Sequence, residues 1–183
     1  MRIRSAKEED LQGILAIQRA NLRDVLSSET MRTDGFLTVA HTEADLALLN
    51  KPVAHSVAVS DLGEVLGYAL SMSPQHLIPV LKPMFQAFDQ RNWRGKSISS
   101  LNYTVMGQVA LQASCRGKGV FRRLYAHWFA TQAEHYELGL TEIDAKNTRS
   151  IGAHLAVGWV EIGRNKQDNT EWIFVGKDLS TGF

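Results

Sequence analysis

The chain has 183 residues, with 20 lysines and arginines against 19 aspartates and glutamates, for a formal net charge of +1. That length can bury a sizeable core within one domain spanning 1–183, and near-neutrality leaves no global field to recruit nucleic acid or an anionic membrane. The single cysteine, Cys115, excludes an intrachain disulfide or cysteine-rich zinc site; with no metal-type histidine spacing, no signal-like start and no apolar run of about eighteen residues, a cytoplasmic protein without a metal is expected.

Ile3 lies in a short N-terminal strand, followed by a helix whose first turn is acidic at Glu8, Glu9 and Asp10, as the helix dipole favours. Its stripe of Leu11, Ile14, Leu15, Ile17 and Leu22 reads as core packing. Asp34-Gly35-Phe36-Leu37 breaks the pattern, and Thr42 caps a second helix over 43–49 that stops before Pro52. Alternation over 55–60 and 64–70 around Asp61-Leu62-Gly63 predicts a hairpin. Between 75 and 91, Leu77, Ile78, Val80, Leu81, Met84, Phe85 and Phe88 recur at helical spacing, with Pro79 and Pro83 confining any helix. That segment suits equally an insertion over a functional site or an amphipathic core helix. Trp93 and Tyr103 flank a polar loop that leads into a central strand over 103–112.

From Val109 to Phe129 the apolar spacing changes from two to three-and-four across Gly117 and Gly119, which predicts strand, tight turn and helix, the helix running to near Glu137. The turn is then a helix N-terminus, where unpaired N–H groups and the positive end of the dipole converge. Two glycines let the backbone approach a phosphate closely, and Arg116, Lys118, Arg122 and Arg123 ring the turn with positive charge. A glycine-eased turn with a solvated basic rim is the plainer explanation of the same residues. Downstream, a strand over 141–146 carries Ile143 and Ala145 on one side and Glu142 and Asp144 on the other, so strand, helix and strand predict a parallel pair with a right-handed crossover. Asn147 caps a short helix that Gly158 stops, and 159–162 with 170–175 close a final hairpin around the polar loop 165–169.

The order Arg116-x-x-Gly119 ahead of a long apolar helix resembles the coenzyme A pyrophosphate loop of the GCN5-related N-acetyltransferases, Q/R-x-x-G-x-G/A, with Phe121 in place of the last small residue. A ring there must turn away from the phosphates. Asn147 to Trp159 is similar to the family's later motif N-x-x-A/S-x-x-x-Y-x-x-x-G-F: Asn147, Ser150, Gly158 and Trp159 fall in register, and His154 stands at the Tyr position. The resemblance implies an α/β fold, a mixed α+β sheet in which antiparallel hairpins flank a splayed parallel strand pair with helices on both faces. It also implies acetyl-CoA as cosubstrate and a small-molecule or peptide amine as acceptor, whose pocket the N-terminal helical region and its loops, including 34–37, would border, with a homodimer as the assembly to look for. Cofactor contacts would come from Val109, Ala110 and Leu111 on the central strand, from Arg116, Gly117, Lys118, Gly119, Val120, Phe121 and Arg122 in the loop, and from Asn147, Ser150 and His154.

The resemblance makes the Leu111 N–H the donor to the thioester carbonyl and His154 the proton donor to the leaving thiolate. Positions 147, 150 and 154 share one helix face, and an imidazolium can donate a proton near physiological pH. For the base, Asp144, Glu142, Tyr103 and His76 all stand open, as does a water. Cys115, just before the loop, is the remaining nucleophile to place. Two other readings compete: a non-catalytic acyl-CoA-binding regulatory module, which Phe121 and His154 would suit, and an unrelated phosphate-binding protein.

Overall fold

A computed structural model describes residues 1–180. In chain order the elements are β1 (Arg2–Ser5), α1 (Leu11–Asn21), α2 (Ser28–Asp34), α3 (Glu43–Leu49), β2 (Ser56–Val59), β3 (Val65–Met72), α4 (Lys82–Asp89), β4 (Asn92–Trp93), β5 (Lys96–Ser97), β6 (Tyr103–Leu111), α5 (Val120–Ala133), β7 (Leu138–Asp144), α6 (Thr148–Leu155), β8 (Val160–Gln167) and β9 (Thr170–Asp178). Seven strands form one sheet in the order β1-β2-β3-β6-β7-β9-β8. Its one parallel pair is β6 with β7, the strands joined through α5; every other neighbouring pair is antiparallel.

Strand alternation divides the core between two faces. Leu138, Leu140 and Phe174 point to the side covered by α1, α3 and α4, with Ile14, Leu46, Phe85 and Phe88. Ile143, Ile173 and Val175 point to the other side, where α5 lays Tyr125, Trp128 and Phe129 against Trp159. Gly139 faces that aromatic cluster, and a Cβ on it would stand 3.3 Å from the Trp128 ring. The indoles and rings meet at centroid distances of 5.7–6.1 Å among Trp128, Trp159 and Phe129, tilted or edge-on as aromatic quadrupoles prefer.

Local signals placed most element starts. Thr42 and Asp45 form a reciprocal capping box at α3, and the Asn147 side chain accepts from Ser150 N–H at α6. Gly158 takes φ 89° and ends the following turn. Several boundaries differ from expectation. The segment 75–91 belongs to the core: a 3-10 turn at Pro79–Leu81 leads into α4, both prolines sit in first turns, and Phe85 and Phe88 are buried away from the site described below. The stretch after Trp93 is a two-stranded ribbon turning at Arg94 and Gly95, both at positive φ. α5 stops at Ala133, before Glu137, because the Glu137 N–H is taken by Asn102 O and its carboxylate by Asn102 N–H. β7 accordingly starts earlier and ends at Asp144, and the last hairpin keeps pairing to Gln167↔Thr170, turning only at Asp168 and Asn169. α2 had no periodic signal; Ser27 caps it by accepting from Thr30 N–H.

Trp128 seats α5, and therefore the loop that starts it, on the sheet. Trp128→Ala is expected to cost about 4 kcal/mol of stability, read as a lower urea midpoint with an unchanged slope.

Candidate functional site

The site begins where the parallel ladder ends. β6 and β7 pair only from Tyr103↔Leu138 to Val105↔Leu140. Beyond that, β6 stays on β3 up to Leu111, while β7 stays on β9 up to Asp144, so the two part and leave unpaired backbone on both banks. The cause is a bulge: from Ala69↔Val109 to Ser71↔Met106, β3 advances by fewer residues than β6, and the extra residue bends β6 away. Gln112 N–H donates to Leu66 O on the β3 side. Alternation then turns the N–H groups of Leu111 and Val109 into the gap.

The gap opens into a cleft of ≈ 410 Å³ whose walls are β6 from Met106, the loop from Arg116 to Arg122, β7 from Thr141 to Asp144, α6, the segment Asp34–Thr38 and Trp172. At the loop, Gly117 and Gly119 take φ of 71° and 73°, which aims successive amides outward. Among the described residues no carbonyl or side chain accepts from the N–H groups of Gly117 to Arg122; the first to be taken is that of Arg123, by Gly119 O. Gly117, Lys118, Gly119 and Arg122 are exposed, whereas Val120 is buried and anchors α5. Phe121 turns from the loop mouth and lies on Tyr125 and His154, ring centroids 4.9 and 5.8 Å away. A large ring is tolerated at that position because it joins the aromatic cluster.

Two motif side chains expected on the cofactor are committed elsewhere. Arg116 pairs with Asp34 and donates to Asn21 Oδ1 at 2.7 Å. Asn147, besides capping α6, donates through Nδ2 to Phe36 O at 2.9 Å. Their backbone is engaged as well: the Arg116 N–H donates to Ala113 O, the Asn147 N–H donates to Asp144 O, and the Asn147 carbonyl accepts from Ile151 N–H.

His154 also departs from expectation. Its ring is 2% exposed, with Nδ1 2.7 Å from Ser150 O and Nε2 2.6 Å from the Tyr125 hydroxyl. A carbonyl only accepts, so Nδ1 carries the proton and Nε2 accepts from Tyr125. Burial pulls the ring's pKa down to about 4, the Ser150 carbonyl opposing. The ring is neutral at physiological pH with both nitrogens occupied, so the imidazolium expected as proton donor does not form there. Ser150 lines the cleft beside it.

Of the candidate bases, Tyr103 donates its hydroxyl to Asp89, burial and that carboxylate drive its pKa up, and neither it nor His76 borders the cleft. Asp144 is 4% exposed, pairs with Arg23 and accepts from Lys146 N–H. Glu142 lines the cleft half-buried, and burial raises its carboxyl to about 7, with Arg91 pulling the other way. Cys115 packs among Leu111, Val120 and Leu124 outside the cleft, which leaves it no nucleophilic role. In the sequence the stretch 34–37 reads from its residues only as a break in the helical pattern, within a region the resemblance assigns to the border of the acceptor pocket, and Arg23, Gln108 and Trp172 are not singled out as site residues. They reach the site through contacts up to 121 residues apart in the chain, which no local pattern records.

No protein-family model and no curated protein sequence matches the chain. Among solved structures, a ribosomal-protein-alanine N-acetyltransferase from Brucella melitensis is similar over 97% of this chain and 99% of its own, at 22% identity and a TM-score of 0.63. An N-acetyltransferase from Staphylococcus aureus Mu50 is similar over 98% of both chains, at 22% identity and TM-score 0.62. A GNAT-superfamily phosphinothricin acetyltransferase from Sinorhizobium meliloti, solved in complex with AcCoA, is similar over 97% of this chain and 87% of its own, at 18% identity and TM-score 0.63. The described chain has the fold of the GCN5-related N-acetyltransferases.

Proposed function

We propose that the protein is an acyl-CoA-dependent N-acetyltransferase that moves an acetyl group from acetyl-CoA to a primary amine by direct attack within a ternary complex. The observation that carries this reading is the run of free N–H groups from Gly117 to Arg122, opening onto the gap between β6 and β7. A diphosphate fits such a run, because each oxygen finds a donor at the positive end of α5. That a structure of the same fold holds AcCoA supports it.

When bound, acetyl-CoA supplies a thioester carbonyl carbon for a nitrogen to attack. The loop amides, with Lys118 and Arg122 beside them, hold the phosphates. The N–H groups of Val109 and Leu111 bind the amide-bearing arm as an added strand would, and Leu111 N–H donates to the thioester oxygen as it gains charge. Glu142 accepts the amine's proton, directly or through a water, since a carboxyl near 7 is partly ionised at neutral pH yet basic enough to take it. The acceptor is a small-molecule or peptide amine and the site is cytoplasmic in this reading. One observation favours a second reading, a non-catalytic acyl-CoA-binding module: His154, neutral and fully bonded, offers the departing thiolate no acid.

Incubation of the protein with acetyl-CoA and a panel of amines, following free thiol, decides between them; binding without turnover across the panel selects the module. Gly119→Asp puts a carboxylate where nothing in the fold lies within 4 Å of the new Cβ. It should raise the acetyl-CoA Kd roughly 30-fold, about 2 kcal/mol, and lower the thermal midpoint modestly, because φ +73° strains a residue with a Cβ; equal Kd values would remove the loop assignment. Glu142→Gln should lower turnover by about a hundredfold and abolish an acid limb in the rate profile near pH 7. For His154, a folded pKa depressed to about 4 means that its contribution to stability is present above 6.5 and is lost as pH falls towards 4. Between pH 6.5 and 5 that loss is about 2 kcal/mol. Urea titrations at the two pH values should show it in the parent and lack it in His154→Gln.

A further inference from the structure

The segment Asp34–Thr38 crosses the mouth of the cleft between its two banks. On the loop side Asp34 is held by Arg116, and Arg116 reaches on to Asn21 at the end of α1. On the α6 side Phe36 O is held by Asn147 Nδ2, and Gly35 lies so close that a Cβ there would stand 2.9 Å from Asn147 Oδ1. Gly35 also takes φ +84°, so the approach depends on a residue without a side chain. On the β6 side Gln108 Nε2 donates to Val39 O. On the β7 side Arg23 pairs with Asp144 and stacks its guanidinium 4.5 Å over the Phe36 ring. The backbone is stitched to α1 as well, by Leu37 N–H to Asn21 O and Arg23 N–H to Leu37 O.

We infer that Arg116 and Asn147 are positioning residues, which fasten the segment Asp34–Thr38 across the divergent strands from opposite banks and so build the wall against which the acceptor amine docks. This rests on the acetyltransferase reading for what docks there, while the fastening itself rests on the bonds just given. The loop that offers its amides to the phosphates and the helix that closes the cleft thus each send a side chain to the same short stretch. Phe36 and Leu37 are only half-buried and line the same cleft as Glu142, where an acceptor would lie. A residue that bound phosphate through its guanidinium would set cofactor affinity; Arg116, spent on Asp34 and Asn21, sets the position of the wall.

Hydrogen–deuterium exchange of the full chain, with acetyl-CoA affinity measured by calorimetry, tests this. Asp34 is exposed and Asn147→Ser keeps a capping hydroxyl, so neither change endangers folding. In Asp34→Asn and in Asn147→Ser the amides of 35–38 should exchange at least about tenfold faster than in the parent, while the acetyl-CoA Kd stays within about threefold. Asp34→Glu, which keeps the charge opposite Arg116, should restore most of the protection. Unchanged exchange at 35–38, or a tenfold loss of acetyl-CoA affinity in either variant, overturns the inference. A parent that binds no acetyl-CoA overturns the functional reading instead, and the exchange data still judge the fastening.

Discussion

The bulge in β6 is the constraint on which the site depends. A parallel pair that ran on beyond Val105↔Leu140 would satisfy its own backbone and leave nothing for a ligand. The extra residue between Met106 and Val109 bends β6 towards β3 while β7 remains zipped to β9 along its full length, so the strands part where the core can tolerate it. Both faces stay covered, by α5 with its indoles on one side and by α1, α3 and α4 on the other. The protein thus keeps its main hydrophobic clusters intact while leaving a stretch of peptide groups open.

The loop completes that arrangement from the same helix. Val120, Leu124, Tyr125 and Trp128 fix the first turns of α5 against the sheet, and two left-handed glycines then expose the amides that precede them. Pre-positioned donors of this kind need no reordering when an anion arrives. Phe121 adds to the fixation, because its ring extends the aromatic cluster to His154 instead of projecting into the loop mouth.

Much of this was legible in the sequence because it rests on local rules. The change of apolar spacing at Gly117 and Gly119 located the strand, loop and helix, and the caps at Thr42 and Asn147 located two more helices. What the sequence concealed was partnership. Arg116 and Asn147 occupy motif positions, yet nothing adjacent to them records that Asp34 and Phe36 claim their side chains. His154 likewise has the chemistry of an acid, and only its burial against Tyr125 and Ser150 O makes it a neutral strut. Between Glu142 and Asp144, neighbours on one strand face that both border the cleft, the distinction comes from Arg23, far off in the chain, which pairs with Asp144 and not with Glu142.

The two outer strands of the sheet carry a further consequence. An open sheet ends in rows of peptide groups that could recruit another chain. Here one border, β1, carries Arg2 and Arg4, and the other, β8, carries Glu161, Arg164 and Lys166 among its exposed or half-exposed positions. Joining β1 to a copy of itself would press arginines together, and along β8 the mixed charges keep the border solvated, so the molecule discourages runaway stacking into fibres while its interior seam stays open for a visiting strand.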